Sequence, residues 1–275
     1  MDDIFDRLSS STIFSTLDLK SGYWQIPMHA NSIAKTAFST GDGHFEFVKL
    51  PFGLRNAPAV FSKIMKAIFG NMPFVEIYID DITIHSKTFD EHIGHIKVLA
   101  KVREHNLKLN AKCDWARHEI KLLGHIITGN SVKMDPDKIK AIEQWTTPTK
   151  VNHIQQFLGI CGYYRRFIKD FSNVAAALYN LLKKDVKLKW TTEFDKAFKE
   201  LKRKLVTYPI VRKPDFNREF IIYTDASGLA IGAVLAQSDE TGEYAVYYAS
   251  RLLKGAEIHN HGEGVPRNCM GDQVL

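Results

Sequence analysis

At 275 residues the chain is long enough for one large domain or two smaller ones, and a hydrophobic fraction of 45% argues against wholesale disorder. Three widely spaced cysteines (Cys113, Cys161, Cys269) with no Cys-x-x-Cys pair argue against a disulfide framework or a zinc knuckle, and no apolar run approaches the ~20 residues of a membrane span. A soluble intracellular protein is expected, with no signal-peptide pattern in the acidic start Met1-Asp2-Asp3-Ile4, and the balance of 37 Lys+Arg against 31 Asp+Glu fits a polyanionic partner without requiring one.

In chain order, residues 2–10 read as a short amphipathic helix with Ile4, Phe5 and Leu8 on one side. From Thr12 to about Ser86 the pattern is strand-rich, interrupted by one helix. Ile13 to Leu17 is β-prone and runs into Asp18. Ala34–Phe38 and Phe45–Leu50 flank the turn Gly41-Asp42-Gly43, a hairpin signal. Ala57 to Phe69 has helical spacing, with Pro58 in the first turn and Gly70 just past the end. Phe74–Ile79 and Ile82–His85 are two short apolar runs with Asp80-Asp81 between them. From Phe89 to about Leu205 the pattern is mostly helical, apart from a β-like patch at Leu122–Thr128, with helix starts near Asp135-Pro136, Val151, Ser172 and Thr192-Glu193. The basic runs here, such as Lys202-Arg203-Lys204, read as a solvated face or as a phosphate-tracking surface. Strand-like segments return at Phe220–Tyr223, Leu229–Ala236 and Tyr244–Ala249, which marks a second domain.

Tyr78-Ile79-Asp80-Asp81 is the most informative tetrapeptide. Crowding two carboxylates on a turn after an apolar strand is costly unless a cation shares them. On the dipeptide alone, an exposed polar turn without a role is the better reading, since Asp is common in turns. Asp18 also ends an apolar strand, and if that strand lies beside the Ile77 hairpin, three carboxylates converge at one sheet edge. Such hard oxygen ligands suit Mg²⁺, and two ions can serve an attacking hydroxyl and a departing pyrophosphate. Between these elements, Leu50 to Pro58 is a loop-to-helix junction in which Gly53 lets backbone approach a ligand closely.

The ordered set Phe14–Gln25, Leu50–Pro58 and Tyr78–Asp81, followed by Leu123-Gly124-His125, Phe157-Leu158-Gly159 and Tyr163–Phe167, resembles the Pol polyprotein of Ty3/gypsy-type long-terminal-repeat retrotransposons. The resemblance spans about residues 2–260. It implies an α+β fold: a reverse-transcriptase palm with an antiparallel sheet packed on helices (1–90, the fingers largely missing), the end of the palm and the thumb (91–150), a helical connection (151–208), and the first part of an RNase H-like α/β domain (209–275). It further implies an RNA-directed DNA polymerase working with two Mg²⁺ ions on an RNA template, a DNA primer and deoxynucleoside triphosphates. Asp18, Asp80 and Asp81 would be the catalytic metal ligands. Tyr23 would sit under the incoming sugar and clash with a 2′-hydroxyl, and Phe52 and Gly53 would line the nucleotide pocket or contact the template. Leu123, Gly124 and His125 would hold the primer end. Asp225, in Tyr223-Thr224-Asp225-Ala226-Ser227, matches the first carboxylate of the RNase H-like domain.

Two departures from the family pattern carry expectations of their own. The basic fingers residues that grip the triphosphate have no counterpart upstream of Asp2. Past His259, Pro266 falls where a catalytic Glu belongs, with Glu263 out of register, so the tail from about 261 reads as aberrant and no RNase H activity is expected. A non-catalytic remnant that at most binds nucleic acid is the competing reading. An RNA-dependent RNA polymerase is disfavoured by Tyr23 and the RNase H-like strands. His85, His92 and His95 could bind zinc, but a polar helix after the hairpin is explanation enough; Trp24, Tyr163, Tyr164 and Trp190 read as base-stacking or as buried aromatics.

Overall fold

The computed structural model describes residues 2–254 apart from 185, 187 and 208–210. The chain divides into two compact units, one running to Leu122 and including Ile127–Gly129, the other made of Leu123–Ile126 and the described residues from Asn130 onward.

The first unit opens with α1 (Asp2–Arg7) and β1 (Ile13–Leu17), followed by two one-turn helices, α2 (Gly22–Gln25) and α3 (Ala30–Ile33), and a 3-10 turn at Ala34–Thr36. A hairpin of β2 (Phe38–Thr40) and β3 (Gly43–Phe45) follows, then α4 (Ala57–Phe69), β4 (Val75–Tyr78), β5 (Asp81–Ser86), α5 (Phe89–His95), α6 (Val98–Glu104), β6 (Asp114–Arg117) and β7 (Glu119–Leu122). Helix α4 begins with Pro58 at an N-terminal position, where its missing N–H costs nothing, and is capped by Gly70. Its buried stripe, Ala57, Phe61, Met65 and Phe69, recurs every four residues and faces the sheet.

That sheet has the order β4-β5-β1-β6. In the antiparallel pairing of β1 with β5, Ile13 lies opposite Ser86, Ser15 opposite Ile84 and Leu17 opposite Ile82. Leu17, Ile82 and Ile84 therefore share one face, and they pack with Phe61, Met65, Val98 and Val102 into the core. Burying several such side chains completely, each worth roughly 1.5–3 kcal/mol, holds the hairpin of β4 and β5 rigidly against β1. On the other face Arg7 forks onto Glu76, its Nε and second guanidinium nitrogen donating to the two carboxylate oxygens at 2.6 and 2.7 Å.

The second unit holds β9 (Ser131–Met134), α7 (Pro136–Glu143), α8 (Val151–Tyr163), a 3-10 turn at Arg165–Phe167, α9 (Phe171–Asn180), α10 (Thr192–Val206), β10 (Val211–Arg212), β11 (Ile221–Ala226), β12 (Ala230–Asp239) and β13 (Gly242–Leu252); the division between units runs through β8 (His125–Thr128). Asp135 caps α7 by accepting from Asp137 N–H at 3.0 Å. The antiparallel sheet β11-β12-β13 is held to α9 by Ser172 N–H, which donates to Ser250 Oγ at 2.9 Å.

The structure corrects three expectations. The hairpin around Gly41 exists, but the 3-10 turn consumes Ala34–Thr36, so its strands are Phe38–Thr40 and Gly43–Phe45. The stretch from Phe89 to Leu205 is less helical than its composition suggests, with four strands between Asp114 and Met134 in place of one β-like patch. And His92 is not on a polar solvated face: it is 1% exposed, with Nε2 2.7 Å from Ser15 Oγ and Nδ1 2.8 Å from Ser86 Oγ.

Candidate active site

Leu17 opposite Ile82 is the last paired rung of β1, so the next residue, Asp18, comes out at the level of Asp81 and on the same face. The two-residue connection between Tyr78 and Asp81, which pair directly, leaves Ile79 and Asp80 at the turn. Ile79 has φ +55, a left-handed conformation that a β-branched side chain adopts only under strain of roughly 1–2 kcal/mol. The tight turn thrusts Asp80 outward beside Asp81.

Asp18, Asp80 and Asp81 are all exposed, yet they act on one another. The Asp81 carboxyl is pushed above the usual range, first by desolvation against surrounding protein and then by the charges of Asp80 and Asp18. Three acids thus share one field, and their mutual repulsion is the kind a divalent cation relieves. Among the described residues no three His, Cys, Asp or Glu side chains are already gathered into a ligand cage.

Tyr23 lies on α2, within reach of the same field: burial raises its hydroxyl pKa first, and Asp80 raises it further. Its ring is wedged edge-on between Phe61, 5.0 Å away in the core, and Phe52, 5.1 Å away and 60% exposed. Gly53 follows Phe52 with φ +91, which the absence of a Cβ permits. Trp24 is 55% exposed with its ring 6.1 Å from Phe52, so an open aromatic surface lies next to the acids.

Leu123, Gly124 and His125 belong to the second unit. Leu123 and Gly124 are both left-handed, and a Cβ on Gly124 would come within 2.9 Å of the Tyr164 hydroxyl. Tyr163 Oη donates to Leu123 O at 2.6 Å and Tyr164 Oη to Gly124 O at 3.0 Å, tying the turn to the end of α8. Leu123 and Gly124 line an apolar groove of about 700 Å³ with Trp145, Gln156 and Tyr163, whereas His125 is 1% exposed and packs against Tyr163, Tyr164 and Phe167. Any primer contact by His125 is therefore indirect in this conformation. Asp225 lies exposed on β11, opposite Gly232. Glu263 and Pro266 lie outside the described residues, as does the tail from about 261.

Sequence reasoning passed over Gln25 and Cys113, which hold the backbone around Asp18. Asp18 N–H donates to Cys113 Sγ at 3.4 Å, and Asn110 N–H to Asp18 O at 2.7 Å. Their partners are 83 and 95 residues away, so no local pattern could have announced them.

Residues 2–127 match the family model of reverse transcriptase (RNA-dependent DNA polymerase), and residues 190–262 match that of the RNase H-like domain found in reverse transcriptase. The chain is 41% identical over 266 residues to the retrovirus-related Pol polyprotein from transposon 297 of Drosophila melanogaster, covering 94% of this chain and 25% of that protein. It is 37% identical over 260 residues to the transposon Tf2-3 polyprotein of Schizosaccharomyces pombe, covering 92% and 20%. The chain thus spans about a quarter or less of the length of these relatives. Among solved structures it is similar to the foamy viral protease-reverse transcriptase in complex with double-stranded DNA (TM-score 0.83, 25% identity, 93% of this chain and 46% of that one) and to the same protein with an RNA/DNA hybrid (TM-score 0.78, 25% identity, 92% and 35%). No described helix is long and apolar enough to cross a membrane.

Proposed function

Since the chain belongs to the reverse-transcriptase family of retrotransposon Pol polyproteins, we propose that it carries the catalytic core of an RNA-directed DNA polymerase. The observation that carries this reading is the register of β1 on β5, which brings Asp18 level with Asp81 beside the Asp80 turn. The reaction is attack of a primer 3′-hydroxyl on the α-phosphate of a deoxynucleoside triphosphate. A new P–O bond forms as the bond to pyrophosphate breaks, and the hydroxyl proton is lost to solvent.

Asp18, Asp80 and Asp81 would hold Mg²⁺, with substrate phosphates and water filling the remaining positions. When bound, the ions offset charge building on the attacking oxygen and on the departing pyrophosphate. Tyr23, braced by Phe61 and Phe52, would present its ring under the incoming sugar and exclude a 2′-hydroxyl sterically. Phe52 and Gly53 would border the nucleotide, and the Leu123-Gly124 turn would steady the primer, with His125 supporting it from inside. Template RNA, primer DNA and the deoxynucleotides are the partners this reading requires. The Pro266 substitution is the basis for expecting no RNase H cleavage of a hybrid.

Primer extension on a primed RNA template tests the reading. Mg²⁺-dependent incorporation that falls about 10³-fold in Asp80→Asn supports it. Salt-sensitive nucleic-acid binding without incorporation, in a folded protein, would overturn it in favour of a binding remnant.

A further inference from the structure

Where β1 ends, the chain does not leave its neighbour at once. Asn110 N–H donates to Asp18 O at 2.7 Å, Leu19 and Leu109 form an isolated antiparallel bridge, and Lys20 N–H donates to Lys108 O at 2.9 Å. After Lys20 the backbone swings away through Ser21, at φ +51, into α2. The backbone ladder stops at that bend. The side chain of Gln25, at the end of α2, carries it on: its Oε1 accepts from Lys108 N–H at 2.7 Å, and its Nε2 donates to Lys108 O at 3.0 Å and to Lys20 O at 2.6 Å.

A primary amide carries the same donor–acceptor pair as a peptide group, so it can stand in for a missing strand rung. Three pieces meet on this one amide: the extension bearing Asp18, the segment at Lys108, and α2, which bears Tyr23 two residues earlier. Ile26 N–H donates to Tyr23 O at 3.0 Å, so a shift of the Gln25 backbone is passed to Tyr23. These bonds need a donor and an acceptor together at this reach from α2. Asn is one methylene short, Glu has no donor for the two carbonyl oxygens, and Leu has neither donor nor acceptor.

We propose that Gln25 is a positioning residue that locks Asp18 and Tyr23 into one frame, and so sets both cation binding by the acids and discrimination between deoxy- and ribonucleotides. It touches neither substrate nor ion itself. The inference rests on the polymerase reading for its nucleotide part and on the three-acid geometry alone for its cation part.

The test uses the full chain with Gln25→Leu and Gln25→Asn, alongside Val102→Ala, a core truncation in α6 that lowers stability while leaving every hydrogen-bonding group of the clamp in place. Two readouts are taken: Mn²⁺ affinity by electron paramagnetic resonance without nucleotide, and the ratio of deoxy- to ribonucleotide incorporation in primer extension. Both Gln25 variants are expected to bind Mn²⁺ about tenfold more weakly and to discriminate about tenfold less, since sub-ångström misplacement of catalytic groups has effects of this order or larger. Val102→Ala should melt earlier while keeping both readouts at wild-type values. If Gln25→Leu matches the wild type in Mn²⁺ affinity and discrimination, or changes them no more than Val102→Ala, the inference is overturned. A wild-type chain that binds Mn²⁺ through Asp80 and weakens in Gln25→Leu, yet incorporates nothing, would uphold the clamp and overturn the polymerase reading.

Discussion

Two aspartates in this molecule each ride on a strand with apolar neighbours, and they have met different fates. Asp18 leaves β1 at the level of Asp81, beside a turn that thrusts out Asp80, and the Asp81 carboxyl is raised first by desolvation and then by the charges of Asp80 and Asp18. Asp225 lies on β11 opposite Gly232, a residue with no side chain to offer. For Asp18, the register of β1 on β5 is what brings the acids of the β4–β5 turn alongside. A one-residue slip of β1 on β5 would turn Asp18 to the other face and undo the cluster.

The sharpest way to break this comparison is to neutralise each acid in turn. Asp18→Asn should lower primer extension about 10³-fold, and Asp225→Asn should leave it at the wild-type rate. Equal losses in both variants would show that the difference in register partner carries no functional weight. Next in size is the support beneath the site. Phe61 is fully buried and braces Tyr23 at 5.0 Å. Phe61→Ala should cost roughly 3–5 kcal/mol in denaturant unfolding of the first unit. A loss under about 1 kcal/mol would mean the aromatic wedge is not what holds Tyr23.

A gentler contrast lies in how the two units respond to pH. His92, in the first unit, is held below its ordinary range by burial and then by the charge of His95. On acidification the unfolded chain takes up this proton before the folded one, so the first unit loses stability as the pH falls below about 6.5. In the second unit, burial holds Lys213 down to about 8. Between that value and its unfolded range near 10.5, the folded state has shed a proton that the unfolded state retains, so stability rises with pH across that window. Thermal melts from pH 5 to 10 should show both slopes, with His92→Gln flattening the acid limb and Lys213→Met the alkaline one. Unchanged slopes in these variants would assign the pH response to other groups.

Much of this architecture could be read from the sequence, for local reasons. The β4–β5 hairpin was marked by apolar runs on both sides of Asp80-Asp81, α4 by Pro58 and Gly70, and α7 by Asp135 ahead of Pro136. Of the strands from β6 to β9, only β8 was legible, as the β-like patch at Leu122–Thr128; β6, β7 and β9 have only four residues each, and β6 is largely exposed. Burial of His92 was hidden in a helix that looks polar, since the hydroxyls that satisfy its ring come from Ser15 and Ser86 on two paired strands. Gln25 was hidden for the same reason at longer range: its value lies in a segment 83 residues downstream. Position in a motif names a residue; its work is set by what folding brings alongside.

The central claim, that Asp18 and the Asp80-Asp81 turn share one field able to hold divalent ions, is tested most directly by carbon-13 NMR titration of the Asp81 carboxyl. The account predicts an elevated midpoint in the wild type, a lower one in Asp18→Asn, and a fall in the wild-type midpoint when Mg²⁺ is added. A midpoint for Asp81 that is indifferent both to Asp18→Asn and to Mg²⁺ would contradict it.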